Sequence, residues 1–273
     1  MKRRKYLIPA LAVFAGLSAL AYSGITHDLT VVSYTLESEK VKNPLRIMHL
    51  SDLHSCFYGD GQQLLIDAIN QQKPDLILLT GDIADDEMPH EGTRVLLSAI
   101  ATQYPCYYVT GNHEVWTEEL DLVKNMFRRY GVTVLEGDCQ VFTLGDTSIN
   151  LCGVDDPTTG LFTMQLNDAF RMTQPDLFTI LLSHRPERVD TYSKYPMDLV
   201  LAGHAHGGQW RVPGVLNGLL APNQGLFPRL AGGLYTFDDF SMIVSRGLAK
   251  ESTRIPRLWN PPELAVIDLQ PAQ

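Results

Sequence analysis

The stretch DLVLAGHAHGG, residues 198–208, decides the fold. Residues 199–202 have the composition of a short buried strand, and Gly203 marks its end. His204 and His206 follow at once, although a buried uncharged histidine is costly unless a partner satisfies it. Strands that end in polar, ligand-type residues are typical of α/β folds, in which sites lie beyond the carboxyl ends of the strands.

The same pattern recurs along the chain before this stretch. Short apolar runs end in Gly, Asp, Asn or His, and they occupy residues 45–52, 75–82, 106–113, 150–156 and 178–184. The stretches between some of them show helical spacing of apolar residues, namely 62–72, 90–103 and 117–129. Alternation of strand and helix predicts an α/β fold with much of its sheet buried.

The two ends of this region have a different character. Residues 234–247 (LYTFDDFSMIVSRG) and 263–269 (ELAVIDL) resemble antiparallel strands, with a turn at Asp238-Asp239. They predict a second sheet built from the C-terminal half of the chain. Residues 26–44 are polar and irregular, and we interpret them as a tether followed by an edge strand.

Metal-type ligands stand at five strand ends: Asp52 and His54, Asp82, Asn112 and His113, His184, and His204 and His206. One such residue alone would be typical of a cap or of a satisfied core residue. Five clusters at one sheet edge instead indicate a binding site. In extended chain, residues two apart point to the same side, so Asp52 and His54 would share a pocket, as would His204 and His206. Small Gly203, Gly207 and Gly208 would leave room for the side chains.

The motifs carry a family resemblance. SDLH at 51–54, GD at 81–82, GNHE at 111–114, SH at 183–184 and GHAH at 203–206 resemble, in order, the signature of calcineurin-like metallophosphoesterases. The segments GGQW, APNQGLFP, VSRG and WNPPEL resemble the bacterial exported or membrane-anchored phosphodiesterase branch, which extends the resemblance over about residues 45–270.

The resemblance implies a four-layer α/β/β/α sandwich with two mixed sheets and a binuclear metal site at the carboxyl edge of the strands. It assigns Asp52, His54 and His206 to a first divalent ion, and Asn112, His184 and His204 to a second. Asp82 and a hydroxide would bridge the two ions. His113 would approach the phosphate and protonate the leaving group. Glu114, where many members carry Asp, would orient His113 or a ligand.

The implied activity is hydrolysis of a phosphodiester by attack of the bridging hydroxide. The mixed oxygen and imidazole ligands suit Mn, Fe or Zn better than Ca or Mg. The expected substrate is a small or lipid-like phosphodiester. Two alternatives remain open at this point: a lipid-precursor pyrophosphatase similar to the UDP-diacylglucosamine hydrolases, and a non-catalytic metal-binding scaffold. The sequence leaves the oligomeric state open.

Charge argues against one class of partner. The formal net charge is −9, and four of the cations are Lys2, Arg3, Arg4 and Lys5. Without them, 18 basic residues face 31 acidic ones. Such a body repels a polynucleotide backbone, so we expect no nucleic-acid partner.

The N-terminus predicts a membrane anchor or an export signal over residues 1–25. MKRRK precedes 20 residues, 6–25, without a charge, which is about the length that spans a bilayer core. The basic cluster would stay in the cytoplasm, so the catalytic domain, residues 45–273, would lie on the extracytoplasmic side. Ala19-Leu20-Ala21 offers a cleavage site, which would release the protein as an exported one. RRKYL also resembles a twin-arginine signal.

Two further features leave alternatives open. The segment 207–237 is rich in apolar residues and carries two charges, Arg211 and Arg229. It is either an irregular buried connection or an apolar lip that borders the site and meets a lipid-like substrate or a membrane. Arg185 either touches a phosphate or lies on the surface. Asp155 and Asp156 are expected to cap a turn.

The four cysteines lack the spacing of a zinc site. Residues 139–152 predict a hairpin with its turn at Gly145-Asp146, which places Cys139 opposite Cys152. A disulfide is one interpretation, but we expect two buried thiols. Cys56 is expected to be a packing residue near the site.

Overall fold

The structure is a computed structural model that describes residues 24–25, 28–250 and 256–272. Within them the chain forms two six-stranded sheets and a two-stranded hairpin. The first sheet has the order β1-β14-β2-β3-β4-β5. Its strands are β1 (Thr30–Ser38), β2 (Leu45–Leu50), β3 (Leu76–Thr80), β4 (Cys106–Val109), β5 (Thr133–Val134) and β14 (Glu263–Pro271).

The second sheet has the order β12-β13-β9-β8-β7-β6. Its strands are β6 (Asp138–Leu144), β7 (Thr147–Gly153), β8 (Phe178–Leu182), β9 (Leu199–Ala202), β12 (Gly233–Thr236) and β13 (Ser241–Val244). The small hairpin pairs β10 (Leu220–Ala221) with β11 (Gly225–Leu226). The α-helices are α1 (Gln63–Gln72), α2 (Glu91–Ile100), α3 (Asn112–Trp116), α4 (Leu120–Arg129), α5 (Phe162–Arg171) and α6 (Val189–Tyr192).

Three apolar clusters separate four layers. Between the sheets lie residues such as Ile47, Leu78, Leu151 and Leu201. The outer face of the first sheet packs against α1, α2 and α4 through residues such as Met48, Leu79, Leu65, Leu97 and Phe127. The outer face of the second sheet packs against α5 and α6 through residues such as Leu181, Val200, Leu166 and Tyr192. Because strand neighbours point to opposite faces and both faces are covered, the central strands are apolar throughout. The predicted α/β/β/α sandwich is confirmed.

Strand direction explains why the site forms at one edge. In the first sheet β2, β3, β4 and β5 are mutually parallel, and in the second sheet β7, β8, β9 and β13 are mutually parallel. Each sheet also contains antiparallel pairs, so both are mixed. The carboxyl ends of the parallel strands in the two sheets meet, since the backbone oxygen of Thr80, the last residue of β3, accepts a hydrogen bond from the side chain of His184 after β8.

The local predictions are mostly confirmed. The three stretches with helical spacing correspond to α1, α2 and α4. The turn at Asp238-Asp239 joins the antiparallel pair β12 and β13. The placement of residues 263–269 in the second sheet is wrong: β14 lies in the first sheet, parallel to β1 and antiparallel to β2. Such a strand is buried between two partners, and its sequence does not encode which sheet it joins. The second sheet instead begins at β6.

The hairpin of β6 and β7 is confirmed in the predicted register, with Cys139 opposite Cys152. The expectation of two buried thiols is wrong, since these residues form a disulfide. Cys56 and Cys106 are buried free thiols, and Cys56 packs in the core as predicted.

The predicted anchor or signal, residues 1–25, lies outside the described residues except for Gly24 and Ile25. Among the residues that the structure describes, no helix has both the length and the apolar character needed to cross a bilayer.

Candidate metal centre

Five loops at the joined strand ends bring the predicted ligands together. Asp52 and His54 follow β2, Asp82 follows β3, and Asn112 opens α3 directly after β4. His184 follows β8, and His204 and His206 follow β9. All seven side chains are buried, none being more than 6% exposed. Six of the seven, all except Asn112, belong to two close groups of ligand atoms.

The local geometry that produces these groups differs from the prediction. Asp52, His54, Asp82, His204 and His206 all have positive φ, between 47° and 64°, and so are not in extended chain. Such a conformation is uncommon outside glycine and costs free energy, and it clusters at functional sites. The paired side chains share a pocket because the loops curl back, rather than because strand residues alternate.

Close packing explains one glycine of the signature. A Cβ atom on Gly203 would collide with the side chains of Ser51 and Asp52. The absence of that atom allows the backbone N–H of His204 to reach Asp52, where it donates to Oδ1 and Oδ2 at 3.0 and 3.1 Å. Gly203 thus allows the loop after β9 of the second sheet to bond Asp52, which follows β2 of the first sheet.

The first group of ligand atoms belongs to Asp52, His54 and His206. One ligand atom from each lies within 4.8 Å of the others. His206 Nε2 is 3.7 Å from Asp52 Oδ1. The Nδ1 of His54 pairs with Asp85 at 2.8 Å, which fixes the ring and turns Nε2 into the group.

The second group belongs to Asp82, His184 and His204. His184 Nε2 lies 3.0 Å from Asp82 Oδ2 and 3.2 Å from His204 Nδ1. The opposite nitrogen of His184 donates to the backbone oxygen of Thr80 at 2.8 Å. The opposite nitrogen of His204 lies 2.8 Å from Asn223 Oδ1. Each ring is therefore held by its outer nitrogen while its inner nitrogen faces the group, as in histidines that bind metals.

Asp82 lies between the two groups, with Oδ2 3.0 Å from His184 Nε2 and 3.7 Å from His54 Nε2. Two buried atoms of predicted ligands, His54 Nε2 and Asn112 Oδ1, have no hydrogen-bond partner among the described residues. Buried polar atoms are rarely left unpaired, because each costs about 1–3 kcal/mol. Unpaired buried ligand atoms near Asp82 fit a pair of cations, and Asp82 would contact both cations.

The electrostatics favour the protonation states that metal ligands need. Burial lowers the pKa of His206 far below its usual range and that of His204 to about 3, so both rings are neutral. Burial would raise the pKa of Asp82, but His184 and His54 outweigh it and hold that pKa well below the usual range. Burial likewise opposes protonation of His184, yet Asp82 raises the pKa of His184 to about 10. A cation held by His184 and Asp82 would displace the proton that they share.

Glu114 holds the Asp82 loop in place. Its carboxylate accepts four backbone hydrogen bonds, from Gly111, Asp82, Ile83 and Ala84, at 2.7–3.0 Å. It is fully buried, and burial together with the charge of Asp82 raises the pKa of Glu114 to about 7. Glu114 was predicted to orient a neighbour. Its hydrogen bonds connect the loop after β4 to the loop after β3.

His113 stands beside the groups, with its side chain 23% exposed. Its backbone N–H donates to Asp82 Oδ1 at 2.9 Å, and its Nδ1 pairs with Asp86 Oδ1 at 2.5 Å. Sequence analysis missed Asp85 and Asp86 as the partners of His54 and His113. The signal was the acidic run at 85–87, three residues after a ligand, but nothing in it specified a histidine partner.

Arg185 is buried, so the surface interpretation is wrong. It forms a two-point ion pair with Asp156, at 2.5 and 3.2 Å, and donates to Asn223 Oδ1 at 2.6 Å. The same Asn223 oxygen lies 2.8 Å from His204 Nε2. Asp156 also caps a turn by accepting from Thr158, as predicted, whereas Asp155 binds Lys124 and Thr110 instead. Arg185 also lies 2.9 Å from His204 Nε2, so it supports His204 both directly and through Asn223. No sequence pattern pointed to Asn223.

A layered α/β/β/α fold with histidines, carboxylates and an amide gathered at one sheet edge defines a metal-dependent phosphoesterase. The chain belongs to the calcineurin-like phosphoesterase family: the model of that family matches residues 45–208, which is more than half of the chain. The protein is thus a phosphoric ester hydrolase, as the resemblance implied.

Related proteins agree over nearly the whole length. The chain is 31% identical to the phosphodiesterase YaeI of Escherichia coli over 279 residues, covering 98% of this chain and 99% of the relative. It is 28% identical to the metallophosphoesterase YkuE of Bacillus subtilis, covering 99% and 98%. The phosphopantetheinyl hydrolase PptH of Mycobacterium tuberculosis shares the fold, with a TM-score of 0.51 at 14% identity over 81% of this chain and 95% of PptH.

Proposed function

We propose that the protein is a binuclear-metal phosphodiesterase. The observation that carries this proposal is the buried Asp82 Oδ2, which lies between two histidine-containing groups, 3.0 Å from His184 Nε2 and 3.7 Å from His54 Nε2. Asp52, His54 and His206 would hold one ion, Asn112, His184 and His204 would hold the other, and Asp82 would contact both. The similarity to a relative named as a phosphodiesterase supports the choice of diester.

When bound, a pair of divalent ions supplies a nucleophile at neutral pH and positive charge for the phosphate oxygens. The side chains of the protein do the remaining work. Asp86 orients the ring of His113 through Nδ1, which leaves Nε2 to carry a proton to the leaving oxygen. Glu114 fixes the loops of Asp82 and His113. Asn223 and Arg185 keep His204 in the geometry that a ligand requires.

Removal of metal should abolish turnover. We expect no hydrolysis after dialysis against a chelator, and recovery on addition of Mn, Fe or Zn but less with Ca or Mg. The measurement is a panel of aryl and alkyl phosphodiesters, phosphomonoesters and pyrophosphates, each assayed with each metal on the full chain. Preference for diesters supports the proposal, and activity that persists in chelator contradicts it.

A second candidate is a pyrophosphatase that acts on a nucleotide-linked lipid. The exposed side chains of Leu226 and Phe227, on and after the hairpin whose Asn223 contacts His204, favour an amphipathic substrate and suit this candidate as well. The same panel discriminates, because the second candidate requires faster cleavage of a pyrophosphate than of any diester. If no compound is hydrolysed with any metal, the non-catalytic metal-binding scaffold becomes the favoured interpretation.

We also propose that the protein acts on the extracytoplasmic side of the membrane, anchored by or released from residues 1–25, as in the exported branch of the family. The basic start and the uncharged residues 6–25 support this location. The Cys139–Cys152 disulfide supports it too, since disulfides persist in oxidising compartments. Protease added to intact spheroplasts is expected to digest the catalytic domain. Digestion only after lysis would contradict the location.

A further inference from the structure

The segment after the histidines of β9 exposes five apolar side chains, which we call the apolar lip. They are Trp210, Val212, Val215, Leu226 and Phe227, and they are between 40% and 84% exposed. The prediction of a buried connection holds only for part of the segment, because Leu219 and Leu220 are half-buried. Contiguous exposed apolar surface on a soluble domain marks an interaction site.

Backbone hydrogen bonds connect the segments that carry the apolar lip. The N–H of Phe227 donates to Leu219 at 2.8 Å, and the N–H of Leu219 donates to Trp210 at 2.9 Å. Leu226 pairs with Leu220 across the β10–β11 hairpin. The lip therefore belongs to one connected piece of backbone rather than to scattered residues.

The apolar lip borders the candidate metal centre. Asn223 lies in the turn between β10 and β11 and contacts His204 Nε2 at 2.8 Å. Two residues separate Asn223 from Leu226, which is 66% exposed. A surface that covered the lip would therefore lie next to the place where substrate enters.

The start of the described chain meets the same surface. Trp210 pairs with Leu258, and the N–H of the next residue, Trp259, donates to the backbone oxygen of Gly24 at 2.7 Å. Gly24 is the last residue but one of the uncharged sequence 6–25, and Ile25, the last, is 42% exposed. The chain thus reaches its membrane-type sequence beside the lip.

Charge identifies the partner. Residues 207–237 contain no Asp or Glu, and both of their charged residues are arginines, in a chain of net charge −9. Arg229 is exposed, whereas Arg211 is half-buried and donates to Asn217 Oδ1. An apolar segment that has no acids and exposes a cation, in an acidic protein, is suited to an anionic bilayer.

We propose that the apolar lip rests on the surface of an anionic lipid bilayer and holds the metal centre at the level of the head groups. This inference rests on the proposed anchoring by residues 1–25 and deepens the proposed function. It makes phosphodiesters of lipid head groups the substrate class that reaches the site most readily.

The test uses the full chain in vesicles of phosphatidylethanolamine and phosphatidylglycerol. Val215→Cys and Phe227→Cys each introduce one thiol for a polarity-sensitive fluorophore, since Cys56 and Cys106 are buried and the other two cysteines are paired. Met172→Cys is the matched control: it is 47% exposed, and it lies near Gln174, whose backbone bonds Asn150 toward the opposite end of the second sheet.

We expect the emission at positions 215 and 227 to shift to shorter wavelength in vesicles and to lose most of its intensity to brominated acyl chains, with no change at 172. Water-like emission at all three positions would overturn the inference. A blue shift without quenching by brominated lipid would overturn it too, because a second copy or the chain's own N-terminal segment would then cover the lip. Quenching without hydrolysis of any diester would leave the lip established and remove the proposed activity instead.

Discussion

Asp82→Asn is expected to lower kcat/KM for a phosphodiester about a thousandfold or more, a loss on the order of that seen when a preorganised electrostatic group is removed. The amide keeps the shape of the carboxylate but loses its negative charge, and one of its two polar atoms can no longer accept. Asp82 Oδ2 lies 3.0 Å from His184 Nε2 in one group and 3.7 Å from His54 Nε2 in the other. Its replacement therefore weakens both ion sites together, whereas loss of an outer ligand such as His206 weakens one.

Two measurements check this expectation: metal content by elemental analysis and turnover of an aryl diester at saturating metal. We expect the variant to bind fewer than two ions per chain even at metal concentrations that saturate the natural protein. Asp176→Asn is the control, because it removes the same charge at an exposed turn between α5 and β8. Full occupancy of both sites in the Asp82 variant would contradict the bridging role.

Glu114→Gln tests the residue that holds the loop of the predicted ligand Asp82. The amide nitrogen would face backbone donors, so about two of the four N–H groups lose their acceptor, at a cost of about 1–3 kcal/mol each. We expect a lower thermal midpoint and weaker metal affinity, with a smaller loss of kcat than for the Asp82 variant. Equal kcat losses in both variants would indicate that Glu114 acts on the reaction itself.

The fold was largely predictable because its main signal is local. Each central strand is a short apolar run that ends in a ligand-type residue, as in DLILLTGD at 75–82, and the helices between them are amphipathic. Parallel strands bring their carboxyl ends to one edge, so the convergence of His54, Asp82 and His204 followed from topology. Their identity as ligands remains a prediction, which the unpaired buried atoms support.

Other features depend on contacts between distant segments, which a single sequence does not encode. Strand β14 has partners 225 or more residues away in β1 and about 220 away in β2, so its sheet could not be read from its composition. Asn223 reaches His204 only because the β10–β11 hairpin folds back over the loop. The positive φ values of Asp52 and His206 likewise arise from packing of the loops, since neither residue is a glycine. The sequence predicted that Cys139 lies opposite Cys152 in the hairpin, but it did not predict the disulfide between them.

His113→Ala is expected to retain both metal ions and to lose about 10²–10⁴-fold in kcat, the range for removal of a general acid. The retention follows from geometry, because His113 lies outside both the Asp52 group and the Asp82 group, although it forms a third close group with His54 and Asp85. It does lie near His54 and Asp85, but those two already pair with each other at 2.8 Å, and His113 Nδ1 is turned to Asp86.

The leaving group decides whether the loss is one of proton transfer. An alkyl alkoxide is a poor leaving group without a proton, whereas a nitrophenolate leaves readily, so the loss in His113→Ala should be much larger for an alkyl diester than for a nitrophenyl diester. Asp86→Asn is the matched positioning variant: it keeps the imidazole but weakens its orientation, and we expect a loss of about tenfold that is also greater for the alkyl substrate. Equal losses on the two substrates would contradict the assignment of His113 as the general acid and would indicate a role in binding the phosphate. Loss of metal from His113→Ala would instead make it a ligand, because a side chain that only donates a proton to the substrate has no reason to affect the occupancy of either ion.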